Sequence, residues 1–139
     1  MHGEIETRVR RSFAAQGLMA HLGASILSVE ESKVVVWLPT RPELTQQHGY
    51  IHAGATSAIA DTAGGYAALT RFEPDEEVLA VEFKINMLAP AKGEGLEAIG
   101  SVIRSGRTLT ICHLEVFAID GTARTLVAVG QQTLIRVKA

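Results

Sequence analysis

Residues 52–68 read HAGATSAIADTAGGYAA, made almost entirely of Ala, Gly, Ser and Thr after His52 and carrying a single acid, Asp61. The stretch is too long for a strand and shows no alternation, which predicts a helix from about Ala53 to Arg71. Glycines at 54, 64 and 65 oppose that reading, each by ~1 kcal/mol relative to Ala. Such a helix must draw its stability from tertiary enclosure rather than from its own preference. Side chains of one carbon or none let backbones approach closely, so a strongly curved sheet can grip it. Asp61 then lies well inside the helix, where an unpaired carboxylate is costly; it must be hydrogen-bonded, open to a cleft, or protonated. Two other readings compete. Asp61 could cap a second helix beginning at Thr62, with Gly64-Gly65 as the break. It could also join His48 and His52 as a metal ligand, although Gly49 between the histidines spoils helical facing and no Glu follows His52.

Outward from this segment, Ile5, Val9, Phe13, Leu18 and His21 recur at mixed three-, four- and five-residue steps, predicting one amphipathic helix from 4 to about 21 that ends near Gly23. ASILSVE (24–30) and KVVVWLP (33–39) predict a β-hairpin, stopped by Pro39 and Pro42. RPELTQQHGY (41–50) is a polar loop. From Glu77, Phe83, Ile85 and Met87 alternate with Glu82, Lys84 and Asn86 in a half-buried strand that ends at Pro90. GLEAIGSVIR, RTLTICHLEVFAI and ARTLVAVGQQTLIRV then form an antiparallel meander through turns at Ser105-Gly106 and Asp120-Gly121. The order is α+β, with a sheet of about six strands covering one apolar helix.

With 139 residues, 47% of them hydrophobic, the chain is expected to form a single domain, 1–139. A net charge of −2 gives no general pull toward nucleic acid or an anionic membrane. No apolar stretch approaches a membrane span or a secretory core. Cys112, the only cysteine, suits a small buried strand residue in a reducing compartment, and a cytoplasmic protein is expected.

His52-Ala53-Gly54, Asp61-Thr62-Ala63 nine residues after the histidine, and VEFKINMLAPAKG at 81–93 together resemble the hotdog-fold acyl-CoA thioesterases of the phenylacetate-pathway (PaaI-like) type. The likeness runs from about Leu18 to the C-terminus and implies a long helix wrapped by an antiparallel sheet. It implies that Asp61 attacks the thioester carbonyl or activates water, that the Ala53 N–H binds the thioester oxygen with Gly54 N–H beside it, that Gln46 orients the nucleophile and that His52 lines the site. Position 53 is Ala where the family usually has Gly, and Gly65 stands where many members place a water-holding Ser or Thr.

A thioester needs a base or nucleophile and a donor where negative charge develops, and a helix N-terminus offers such donors. Eight residues of helix put Ala53 and Asp61 ~12 Å apart, too far to serve one carbonyl carbon. Residues of two chains should therefore meet in a homodimer; the family is dimeric, commonly as a dimer of dimers. Coenzyme A, part of the substrate rather than a cofactor, carries phosphates, for which Lys92 and Arg104-Ser105-Gly106-Arg107 are candidates. No metal or cofactor is expected. The alternatives are a non-catalytic acyl-CoA binding module and a hotdog hydratase or dehydratase; the latter would want a catalytic His, and His113, in a strand, reads more simply as structural. Leu18, Met19, Trp37 and Tyr66 are candidates to line an acyl tunnel.

Overall fold

The structure is a computed structural model and describes residues 2–139. Two helices, α1 (His2–Ala14) and α2 (Gly17–Leu22), precede a hairpin of β1 (Ser25–Glu30) and β2 (Lys33–Pro39). The long helix α3 (Ala53–Leu69) comes next, followed by β3 (Glu76–Met87), β4 (Gly95–Ser105), β5 (Leu109–Asp120) and β6 (Ala123–Lys138). All six strands form one antiparallel sheet in the order β1-β2-β4-β5-β6-β3. The meander β4-β5-β6 lies inside the sheet, and β3 is an edge strand bonded to β6 alone.

The helix expected at 53–71 is one uninterrupted element, so Asp61 does not cap a second helix. The sheet encloses it: Ile59, Ala60, Ala63, Ala67 and Ala68 have no exposed surface, and Val34, Val36, Leu38, Leu96, Ala98, Leu114 and Val116 meet them equally buried. The glycine that weakens the helix is what allows this approach. A Cβ at Gly64 would overlap Gln132 and Leu114, and one at Gly100 on β4 would overlap the α3 backbone at Ala63 and Gly64. The sheet leaves one stripe of α3 less covered, through Ala53, Ser57, Asp61 and Gly65, at the four-residue spacing of one helix face.

The single N-terminal helix expected over 4–21 is two. Gln16 has extended backbone (φ −81°, ψ 116°) and breaks it. The five-residue step from Phe13 to Leu18 was the trace of that break, because it slips the helical phase. The buried face of α2 is Met19 and Leu22, while Leu18 is 54% exposed. The helix ends as expected at Gly23, which takes φ +80° and donates its N–H to Met19 and Ala20 carbonyls. In β3, Phe83 and Ile85 pack on the core as the alternation predicts, whereas Met87, in the same phase at the end of the strand, is exposed; a bulge between Ala80 and Glu82 separates this phase from that of the first half of the strand.

Candidate active site

Asp61 lies half-buried on the open stripe of α3. Its carboxylate Oδ1 accepts a 2.5 Å hydrogen bond from Gln132 Nε2 of β6, and the same amide nitrogen donates to the Asp61 carbonyl at 3.1 Å. Burial pushes the Asp61 carboxyl above its ordinary range, and the Gln132 bond pulls it part of the way back. Gln132 is itself 1% exposed, and its Oε1 has no partner among the described residues. An unsatisfied buried carbonyl costs about 1–3 kcal/mol. Strand alternation places Gln132 on the inner face with Leu134, and nothing in the local sequence separates it from core positions.

Asp61 opens into a cleft of about 240 Å³ bounded by Gly65 and Tyr66 of α3, Glu77, Val78 and Ala80 of β3, and Ser12 and Gln16 from the N-terminal helices. A Cβ at Gly65 would touch nothing within 4 Å, so the missing side chain is open space beside the acid. At the far wall the Tyr66 hydroxyl meets Ser12 Oγ at 2.9 Å and accepts from Gln16 Nε2 at 2.8 Å. The break at Gln16 gives this cleft its polar wall. Of the four tunnel candidates only Tyr66 lies here; Met19 belongs to the core, and Leu18 and Trp37 lie outside the cleft.

The start of α3 forms a second cleft of about 300 Å³, lined among others by Gln46, His52, Ala53, Met87 and Pro90. His52 is the N-cap, with Nδ1 accepting the Gly54 N–H at 2.7 Å. The expectation that Gly54 N–H helps bind an oxyanion is corrected by this bond, which occupies that donor. Ala55 and Thr56 N–H turn back to the His52 carbonyl. Ala53 N–H, at the first helical position, has no acceptor among the described residues and is the amide left free. Because Nδ1 accepts, neutral His52 carries its proton on Nε2, a donor within the cleft. Gln46 does not reach Asp61 of its own chain; its Oε1 accepts from His48 and Tyr50 N–H and shapes the loop before the helix.

The two clefts share no residue and adjoin opposite ends of β3. The basic candidates also separate. Lys92 precedes β4 and lies just after the Ala89-Pro90-Ala91 wall of the second cleft, whereas Arg104-Ser105-Gly106-Arg107 turns from the other end of that strand. Ser105 Oγ is engaged by Thr110 and Arg136. The described residues hold no cluster of three or more His, Cys, Asp or Glu side chains, so His48, His52 and Asp61 do not converge within the chain. His113 stands on β5 within 3.7 Å of Glu115, away from both clefts. Among the described residues no helix is long and apolar enough to cross a membrane.

Residues 48–124 match the family model described as the thioesterase superfamily. The chain belongs to that superfamily. It is a hotdog-fold thioester hydrolase. It is 31% identical to the 1,4-dihydroxy-2-naphthoyl-CoA hydrolase of Listeria monocytogenes over 72% of this chain and 81% of the relative. A solved thioesterase family protein from Silicibacter pomeroyi superposes with a TM-score of 0.95 at 39% identity, covering 97% of this chain and 99% of the other. The E. coli PaaI protein from the phenylacetic acid degradation operon shares the fold, with a TM-score of 0.89 at 20% identity over 99% and 96% of the two chains.

Proposed function

We propose that this thioesterase hydrolyses an acyl- or aryl-CoA to the free acid and coenzyme A at a site completed by two chains. Asp61 of one protomer acts as general base or nucleophile, and the Ala53 N–H of the other stabilises the oxyanion. The observation that carries this reading is the separation of the two reacting groups. The one free amide at the start of α3 and the one carboxylate on its open stripe stand eight residues, ~12 Å, apart on a single rigid helix.

The edge strand supports a two-fold arrangement that joins them. β3 presents twelve residues with an unpaired edge, and Leu79, Val81, Met87 and the adjoining Leu88 are 44–59% exposed, an edge that isolated proteins rarely leave open. Two copies pairing antiparallel along this edge set the Glu77–Ala80 end of one against the Met87 end of the other. The Asp61 cleft of one copy then adjoins the His52-Ala53 cleft of the other. Lys92 of one copy and the Arg104–Arg107 turn of the other come toward the same end, where coenzyme A phosphates need cations.

In the resulting site the thioester carbon sits between Asp61 and Ala53. Asp61 takes a proton from water as it attacks, or attacks directly to form an anhydride that water then opens. Negative charge moves onto the carbonyl oxygen and is met by Ala53 N–H at the positive end of the helix dipole. The tetrahedral species collapses by expelling the thiolate of coenzyme A. The Tyr66, Ser12 and Gln16 wall supports an acyl group with a hydrogen-bonding substituent remote from the thioester. A hydroxylated aromatic acyl group, such as the one named for the Listeria relative, has that chemistry.

Ala53→Pro tests the reading directly. Pro suits the first helical position, and His52 already has the extended backbone (φ −61°, ψ 139°) that precedes Pro, so the fold is retained while the N–H is deleted. The expected loss in kcat across an acyl-CoA panel is about 10²- to 10³-fold. A folded variant with wild-type turnover would show that Ala53 N–H is not the oxyanion donor.

A further inference from the structure

We infer that Gln132 is a positioning residue for the catalytic carboxylate: its amide N–H holds one oxygen of Asp61 so that the other faces the cleft. The inference rests on the proposed role of Asp61. Three observations carry it. The amide nitrogen bonds both Oδ1 and the main-chain carbonyl of Asp61, so a flipped amide would set its own oxygen against two acceptors. The orientation is therefore fixed whether Asp61 is charged or not, and the bond always favours the carboxylate form. Asp61 Oδ2 accepts no bond from the described residues and is the oxygen left for water or the acyl carbon.

The second observation is the orphaned Gln132 Oε1. A residue kept at this 1%-exposed position for packing alone would be apolar like Leu134, two residues along the same strand, which would leave no polar group unsatisfied. The third is Gly64, whose missing side chain gives the amide its path to the acid. The helix interior accepts an unfavourable glycine where the Gln132 side chain passes. Glu77 of β3 and Tyr66 of α3 are the other ionisable side chains in the cleft, and Cys112 of β5 lies nearby against the Gly64 carbonyl. None of them bonds the Asp61 carboxylate.

Gln132→Met removes both the donor and the orphaned carbonyl at similar volume. Gln132→Asn keeps an amide but draws it back by one methylene. In both, kcat is expected to fall about ten-fold or more. The acid limb of kcat/KM should move to higher pH, and a ¹³C-carboxyl NMR titration of Asp61, which needs no activity, should move the same way. A packing role would move stability but neither titration. Wild-type turnover with unmoved titrations in either folded variant would overturn the inference. Asp61→Asn separates the two levels. Full hydrolysis by Asp61→Asn would sink the proposed function, whereas an inactive Asp61→Asn beside unaltered Gln132 variants would sink this inference alone.

Discussion

His52 Nδ1 accepts the Gly54 N–H at 2.7 Å, and this bond selects which amide at the start of α3 is available to a ligand. It satisfies one of the helix's orphan donors and leaves the preceding one, on Ala53, free. His52→Ala is expected to lower stability by about 1 kcal/mol through loss of the cap. His52→Asn, which restores a cap acceptor, should recover most of that loss. Thermal melts of the three proteins check the order.

Asp61 couples stability to pH in a direction opposite to that of most paired carboxylates. Burial raises its pKa in the folded chain above the ordinary 3.8. Its contribution to stability is complete below 3.8 and is lost as pH rises through the folded-state value. Asp61→Asn stays neutral throughout. It should therefore melt higher than wild type near pH 7, with the gap closing as pH falls through the folded-state value toward 3.8 and closed below it. Over the same series kcat should drop about 10²- to 10⁴-fold. A variant that loses activity without gaining stability at neutral pH would contradict the burial argument.

A site completed by two chains, as proposed, is tested by complementation. Asp61→Asn and Ala53→Pro are each expected to be inactive, but a heterodimer of the two has one site with both native groups. Random exchange of subunits should restore about a quarter of wild-type activity, half the dimers carrying one intact site of two. No recovery in heterodimers confirmed by native mass spectrometry would place both groups in one chain.

Tyr66→Phe deletes the hydroxyl that Ser12 and Gln16 hold at the far wall of the Asp61 cleft. For acyl groups with a distal hydroxyl, KM is expected to rise about ten-fold, and for unsubstituted chains to change little. A steady-state comparison of matched hydroxylated and unsubstituted acyl-CoAs reads the difference. Equal effects on both would remove the polar wall from substrate selection.

Cys112 is fully buried, and burial pushes its thiol up to about 12. Alkylation of the native protein should be limited by global opening, and Cys112→Ala should leave the hydrolysis pH profile unchanged.

Local sequence determined much of this protein. Period-two alternation, the turn dipeptides and the left-handed cap at Gly23 specify their elements through contacts a few residues long. The small-residue run from Ala53 announced an enclosed helix, because only tertiary contact can hold so poor a helix former. The spacing of Ala53 and Asp61 along one helix also held the separation on which the proposed two-chain site rests. Tertiary structure decided the rest. Gln132 looks like any inner-face strand position until β6 lies against α3, 71 residues away in sequence. Gln16 reads as helix until its amide is needed at Tyr66, 50 residues on. The choice between Ala53 and Gly54 as the open amide turns on one histidine rotamer. Periodicity records which face an element buries; it carries no record of which polar group waits on the other side.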